Sequence, residues 1–240
     1  MKAMVLAAGL GTRLRPLTND RPKALVKIAD RTLLEITLTR LKEFGVHDVI
    51  INVHHFAQMV VDYLEANDCF SMHVEVSREE TLLDTGGGLK KAGWFFRQDS
   101  EPFILHNVDV ISNVDFNAML RFHNDRQALA TLAVKQRPTS RYLLFDEGLR
   151  FCGRRLVREQ KLEIARSCPN PLELAFCGIH VLSPRIVSML TDDGSFSIIT
   201  SYLDLAKRGE EICGFRADAY SWKDVGTPEN LKEAEASGLH

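Results

Sequence analysis

Apolar positions along the chain alternate between short continuous runs and stripes spaced three and four residues apart, the pattern of buried parallel strands covered by helices. Met4 to Ala8 is the first run and ends in a glycine-containing loop. Leu34, Leu38, Leu41 and Phe44 share one helical face, and Gly45 stands where a helix C-terminus takes glycine. Val49-Ile50-Ile51-Asn52-Val53 predicts a second strand, and Phe56, Met59, Val60, Tyr63 and Leu64 predict a second amphipathic helix. His73 to Val76 predicts a strand, Gly86-Gly87-Gly88 a turn into a helix over Leu89 to Phe96, and Phe103-Ile104-Leu105 another strand. Phe116, Met119 and Leu120 open the next helix. Such alternation, joined by right-handed crossovers, predicts an α/β fold: a three-layer α/β/α sandwich around a Rossmann-like, mixed but mainly parallel sheet.

From Leu129 the pattern changes and reads as antiparallel or mixed. Leu129 to Lys135 reads as a strand, and Tyr142 to Phe145, a turn at Asp146-Glu147-Gly148, and Leu149 to Cys152 read as a hairpin. Ala175 to Leu182 is a strand, Pro184 to Leu190 and Ile198 to Arg208 are helices, and Gly209 ends the second. Ile212 to Phe215 is a further strand, and Pro228 opens a C-terminal helix. No linker, repeat or low-complexity tract divides the 240 residues, so one domain spanning 1–240 is expected, with an insertion around residues 135–175.

Thirty basic side chains against 32 acidic ones leave a net charge of −2, so no global field draws the chain to nucleic acid or to an anionic membrane. Any anion site must be a local cluster. The five cysteines (Cys69, Cys152, Cys168, Cys177, Cys213) are scattered without a CxxC pair, which speaks against a disulfide framework and a zinc site. Reduced thiols and a cytoplasmic location are the expectation. Cys177 is read as a small buried hydrophobe, and His54 and His55, adjacent after a strand, point apart and cannot form one ligand pair.

The loop Gly9-Leu10-Gly11-Thr12-Arg13-Leu14-Arg15-Pro16 follows the first strand, where parallel sheets bind ligands. Its glycines allow backbone N–H groups to approach phosphate oxygens, and Arg13, Arg15 and Lys23 add full positive charges. A dinucleotide fingerprint needs glycine where Leu14 stands, and a Walker A loop needs Gly-Lys-Ser/Thr, so neither reading holds. A glycine turn decorated with solvated arginines is the simpler alternative.

The longer stretch Ala7-Ala8-Gly9-Leu10-Gly11-Thr12-Arg13-Leu14-Arg15-Pro16-Leu17-Thr18, with Pro22-Lys23 after it, resembles the signature of the sugar-1-phosphate nucleotidylyltransferases, or nucleotide-sugar pyrophosphorylases. Asp84-Thr85-Gly86-Gly87-Gly88, Asn107-Val108-Asp109 and Trp222-Lys223-Asp224-Val225-Gly226-Thr227 follow in that family's order, so the resemblance covers nearly the whole chain. Length and the Thr-Gly-Gly-Gly element are most similar to the short N-acetylmuramate-1-phosphate uridylyltransferases and mannose-1-phosphate guanylyltransferases. The resemblance implies the nucleotide-diphospho-sugar transferase fold, a nucleoside triphosphate and a sugar 1-phosphate as partners, and pyrophosphate release. It implies catalytic roles for Arg13 and Lys23 on the triphosphate. Substrate contacts are implied for Ala8, Gly9, Gly11, Thr12, Arg15, Asp84, Thr85, Gly86 and Gly87, with Asn107 and Gly178 on the sugar side; Glu173, three residues before Phe176, reads as a sugar hydroxyl acceptor or, more simply, as an exposed carboxylate.

Asp109 and Asp224 each follow a strand-like run, and hard carboxylate oxygens that leave room for water and phosphate suit Mg²⁺. Singly, each aspartate also reads as a turn or cap residue; the resemblance assigns them as the Mg²⁺ pair. Two departures bear on the sugar. Val108 replaces the glycine that commonly precedes the aspartate, and the Glu-Lys-Pro element that many larger relatives carry for the sugar phosphate is missing between residues 150 and 175, where Arg154, Arg155, Arg158 or Lys161 stand as substitutes or, more simply, as a solvated basic face. The base, the sugar and the oligomeric state, a homo-oligomer included, are not readable. A nucleotide-sugar-binding regulatory subunit without turnover, and a cytidylyltransferase acting on a phosphorylated alcohol such as phosphocholine, stand as alternatives.

Overall fold

The computed structural model describes residues 1–238; the last two residues of the span expected as one domain lie outside the described residues. The elements are β1 (Lys2–Leu6), β2 (Lys27–Ile28), β3 (Arg31–Thr32), α1 (Leu33–Glu43), β4 (Asp48–Val53), α2 (Ala57–Ala66), β5 (His73–Arg78) and α3 (Asp84–Ala92). They continue with β6 (Phe103–Asn107), β7 (Val110–Ser112), α4 (Phe116–Asp125), β8 (Ala130–Lys135), β9 (Arg141–Phe145), β10 (Phe151–Leu156), β11 (Lys161–Ile164) and β12 (Leu172–Leu182). The chain closes with α5 (Ile186–Met189), α6 (Ile198–Lys207), β13 (Ile212–Arg216), β14 (Trp222–Asp224) and α7 (Pro228–Ala236).

The first four long strands pair in parallel in the order β5-β4-β1-β6. Strand period sorts their side chains. Ala3 and Val5 of β1 join one apolar cluster with residues of α1, α2, α4 and α7, whereas Met4 and Leu6 join the other with residues of α3, α5 and α6. The expected α/β/α sandwich is therefore present, with a core on each side of the sheet. Within α1, Leu34, Leu38 and Leu41 are fully buried, and the Thr32 side chain caps the N-terminus by accepting from the Glu35 N–H at 3.0 Å. Truncating one of these leucines to alanine costs about 2–5 kcal/mol at such sites.

The sheet departs from parallel at β12, which runs antiparallel to β6 on one side and to β8 on the other; β13 then pairs with β8 in parallel. Because two reversals separate β6 from β8, both point their C-terminal ends to the same edge of the sheet. Midway along β12 the register slips: Phe176 pairs with Val134 but His180 with Leu132. Gly178 sits in this bulge at φ 75°, a left-handed conformation that glycine adopts without strain. The N-terminal half of β12 is thereby freed to pair with β9, and β9, β10 and β11 follow as antiparallel hairpins. This extension occupies much of the region expected as an insertion.

Two local expectations are corrected. Gly86, Gly87 and Gly88 do not form a turn before the helix; they lie inside its first turns, because α3 begins at Asp84. What demands glycine is space: a Cβ on Gly86 would lie 2.4 Å from the Phe196 ring, and one on Gly87 would lie 2.3 Å from the Gly194 carbonyl oxygen. The helix Pro184 to Leu190 is likewise shorter than expected, with only Ile186–Met189 helical. No helix of the described residues is long and apolar enough to cross a membrane.

Candidate active site

The parallel strands end at a cleft of about 300 Å³ whose lining includes Ala8 and Gly9 after β1, Asn52 of β4, Glu79 after β5, Asp84 and Thr85 at the start of α3, and Asn107 and Asp109 from the end of β6. Lys23 crosses to it from the segment after the first loop. Its Nζ lies 2.9 Å from Asp109 Oδ2, and both side chains are largely buried. Burial pushes the Asp109 carboxyl up, but the Lys23 charge and hydrogen bond, with help from Arg13, outweigh this and hold it below the usual carboxylate range.

The two aspartates, distant in sequence, are brought together by a short antiparallel ribbon. β14 pairs with β7 so that Asp224 stands opposite Val110, and Val225 donates its N–H to the Asp109 carbonyl at 2.9 Å. The next residue, Gly226, marks where the charges converge. A Cβ built on it would lie 2.7 Å from Arg13 Nη2, 2.8 Å from Asp224 Oδ1 and 3.1 Å from Asp109 Oδ2. The Gly226 N–H itself donates to Asp224 Oδ1 at 2.7 Å, fixing that carboxylate.

Two convergent carboxylate oxygens beside an open cleft are what Mg²⁺ uses when waters and phosphate oxygens complete its octahedron. The donor set therefore fits Mg²⁺, although among the described residues no three or more His, Cys, Asp or Glu side chains gather as a full protein cage. Lys23 and Arg13 balance the carboxylates' charge.

Other expected residues divide into those at the cleft and those away from it. Gly11, at φ 64°, accepts from the Thr18 hydroxyl through its carbonyl at 2.8 Å and opens the tight turn Thr12–Leu14 that carries Arg13. Thr12 and Arg15 are exposed on that turn. Gly178 packs against Asn107, whose Nδ2 would be 2.9 Å from a Cβ there. The N–H groups of Gly86 and Gly87 are not offered to a ligand, since both are donated to the Phe196 carbonyl. Gly11, Thr12, Arg13, Arg15, Gly178 and Asp224 do not line the cleft itself, and Glu173, also outside it, accepts from Arg155 Nε at 2.7 Å.

Val108 does not narrow the cleft. Its side chain is fully buried in the core with Val110 and Val114, and its backbone N–H donates to the Leu6 carbonyl at 3.2 Å. Cys177 is fully buried, and burial pushes its thiol up to about 12, which removes it as a nucleophile. His54 donates from Nδ1 to the Glu79 carbonyl, and the His55 ring packs on Phe56.

Sequence reasoning missed Asn52 and Glu79. Asn52 accepts from the Ala7 N–H at 2.8 Å and donates to Glu79 Oε1 at 2.7 Å, while Glu79 Oε2 accepts from the Leu83 N–H at 2.9 Å. This buried pair ties the ends of β1 and β4 to the segment entering α3. Its signal was a lone amide inside the apolar run of β4.

The nucleotidyl transferase family model matches residues 2–239. The N-acetylmuramate alpha-1-phosphate uridylyltransferase of Caulobacter vibrioides is 34% identical over 98% of this chain and 95% of its own length. The mannose-1-phosphate guanyltransferase of Yarrowia lipolytica is 29% identical over 96% of this chain but only 62% of its own length. Among solved structures, HddC from Yersinia pseudotuberculosis complexed with GMP-PN superposes with a TM-score of 0.78 at 22% identity, covering 99% of each chain. A UDP-glucose pyrophosphorylase complexed with UDP-glucose gives 0.79 at 18%, over 99% of this chain and 97% of that one. These two likenesses bear on the fold. With Arg13 of the first loop and Asp224 of the last ribbon meeting the cleft residue Asp109 around Gly226, and with the family model running almost end to end, the chain belongs to the nucleotidyl transferase family.

Proposed function

We propose that the protein is a Mg²⁺-dependent sugar-1-phosphate nucleotidylyltransferase, joining a nucleoside triphosphate and a sugar 1-phosphate into a nucleotide sugar with release of pyrophosphate. The observation that carries the reading is the meeting of Arg13, Asp109 and Asp224 around Gly226, with Lys23 on Asp109. The 34% identity to a uridylyltransferase over almost the full length of both chains supports the same class.

A phosphate monoester has a second pKa near 6, so the sugar 1-phosphate is largely dianionic at pH 7 and needs no general base. One of its oxygens attacks the α-phosphorus, the new P–O bond forms, and the bond from the α-phosphorus to the β-phosphate bridging oxygen breaks. Pyrophosphate departs with that electron pair. What opposes the reaction is repulsion between two anions and charge growing on the leaving group, so positioning and neutralisation are the tasks. Arg13 and Lys23 supply fixed positive charge, while Ala8 and Gly9 let the triphosphate approach the backbone. Asp84 and Thr85 face the nucleotide, and Asn107 with Gly178 face the sugar. Asp109 and Asp224 would hold Mg²⁺, which when bound supplies further neutralisation of the phosphates.

Pyrophosphate release from UTP, GTP, dTTP and CTP, each paired with N-acetylmuramate, mannose or glucose 1-phosphate, tests the reading. Turnover that needs both substrates supports it. Absence of turnover across the panel rejects it.

A further inference from the structure

Arg137 lies just beyond β8, whose C-terminal end shares an edge of the sheet with that of β6. The first loop enters the site from β1, on the other side of β6, so Arg137 approaches from the opposite flank. Its guanidinium carbon stands 4.2 Å over the Trp222 ring, and Trp222 is held by its indole N–H donating to the Cys177 carbonyl at 2.7 Å. Two residues along β14, on the same face as Trp222, is Asp224. The guanidinium is half-buried and close enough to Asp224 to feel its charge.

Its hydrogen bonding is incomplete. Nη2 donates to the Phe176 carbonyl at 2.9 Å and Nη1 to the Pro138 carbonyl at 3.3 Å, but the buried Nε has no partner. Among the described residues Arg137 forms no ion pair, in contrast to the basic residues on β10 and β11: Arg154 pairs with Glu163, Arg155 with Glu173 and Lys161 with Glu163. Those three are already neutralised. A half-buried guanidinium without a counter-ion is costly to keep, and its planar fork matches the oxygens of a phosphate.

We propose that Arg137, stacked on Trp222 beside Asp224, binds the phosphate of the acceptor sugar 1-phosphate, filling the role for which this chain has no Glu-Lys-Pro lysine. The triphosphate is then served by Arg13 and Lys23 on one flank and the acceptor by Arg137 on the other, with the two aspartates between. This assignment rests on the transferase reading above.

The test is a KM split measured on Arg137→Met and Arg137→Lys with the substrate pair that the wild type uses best. Losing a charge-assisted contact predicts a rise in KM for the sugar 1-phosphate of about tenfold or more in Arg137→Met, and a smaller rise in Arg137→Lys. The KM for the triphosphate and the Mg²⁺ concentration for half-maximal rate stay within about twofold. A merely structural prop for Trp222 would instead displace Asp224 and move the triphosphate KM and the Mg²⁺ requirement together; that result, or unchanged kinetics, overturns the proposal while the transferase reading stands. A wild type that turns over none of the panel overturns both.

Discussion

Gly226→Ala puts one methyl group at the point where the site's charges meet. The added carbon would lie 2.7 Å from Arg13 Nη2, 2.8 Å from Asp224 Oδ1 and 3.1 Å from Asp109 Oδ2, all too close for a methyl, so something must move. Asp109 is buried and pinned by Lys23, and Asp224 is held by the Gly226 N–H, whereas Arg13 reaches in as the end of a flexible side chain from an exposed turn. Arg13 therefore gives way first. Since Gly226 is not at positive φ, alanine itself suits the backbone and tightens the unfolded chain by about 0.4–1 kcal/mol, against roughly 1–3 kcal/mol of overpacking that the arginine's retreat partly relieves. The net stability change should stay near 1 kcal/mol, which for a chain of this size is about 2–4 °C in Tm. Activity should suffer far more. Displacing one preorganised cationic donor costs about 2.7–4 kcal/mol in the transition state, or roughly 10²–10³ in kcat. The assay is pyrophosphate release at saturating substrates, with a thermal melt on the same preparation to separate lost activity from lost stability. A Gly226→Ala enzyme with near wild-type kcat would refute the view that this point is where transition-state charge is met.

Arg13→Ala should lower kcat by on the order of 100-fold, read by the same assay. Asp109→Asn and Asp224→Asn should each raise the Mg²⁺ needed for half-maximal rate, and wild-type activity undiminished in EDTA would contradict the metal assignment. Asp109 is held below its usual range in the fold, so its contribution to stability is full above about pH 4 and is lost as pH falls through the lowered value. Lys23→Met should accordingly destabilise by on the order of 3 kcal/mol near neutrality, and by less at pH 3, in urea melts at the two pH values. Burial holds His106 and His123 down to about 4 and His180 to about 3, so the unfolded chain takes up protons that the fold refuses. Stability should fall steadily as pH drops from about 6.5 toward 4, and a flat profile over that window would contradict it.

The alternation of apolar runs and stripes was enough to place β1, β4, β6 and the helices that cover them, because these strands are buried on both faces and read as continuous hydrophobicity; β5, at the sheet edge and only partly buried, showed through Val74 and Val76. The antiparallel or mixed character of the part after Leu129 was legible, but not that β12 pairs with β6: strand period says which face a residue takes but nothing about which neighbour the strand chooses. The Gly86-Gly87-Gly88 run read as a turn because glycine is the commonest turn residue, whereas here it answers to a packing contact with residues 194–196 that no local rule exposes. At the site, Arg13 and Lys23 stood out as cations in a glycine loop, and Asp109 and Asp224 through their place in the ordered motifs. Asn52, Glu79 and Arg137 did not, since their significance comes from partners on other strands. The basic cluster at 154–161 read as a solvated face; within it Arg154, Arg155 and Lys161 are answered by Glu163 and Glu173, the Arg154–Glu163 pair being set by the register of β10 on β11.

Labelled substrate tests most directly whether this cleft brings an acceptor phosphate onto the α-phosphorus of a triphosphate. With sugar 1-phosphate carrying ¹⁸O in its three non-bridging oxygens, Mg²⁺ and the preferred triphosphate, mass analysis should find all three labels in the nucleotide sugar and none in pyrophosphate. Label in pyrophosphate, or a free nucleoside monophosphate with the sugar phosphate unchanged, would contradict the account.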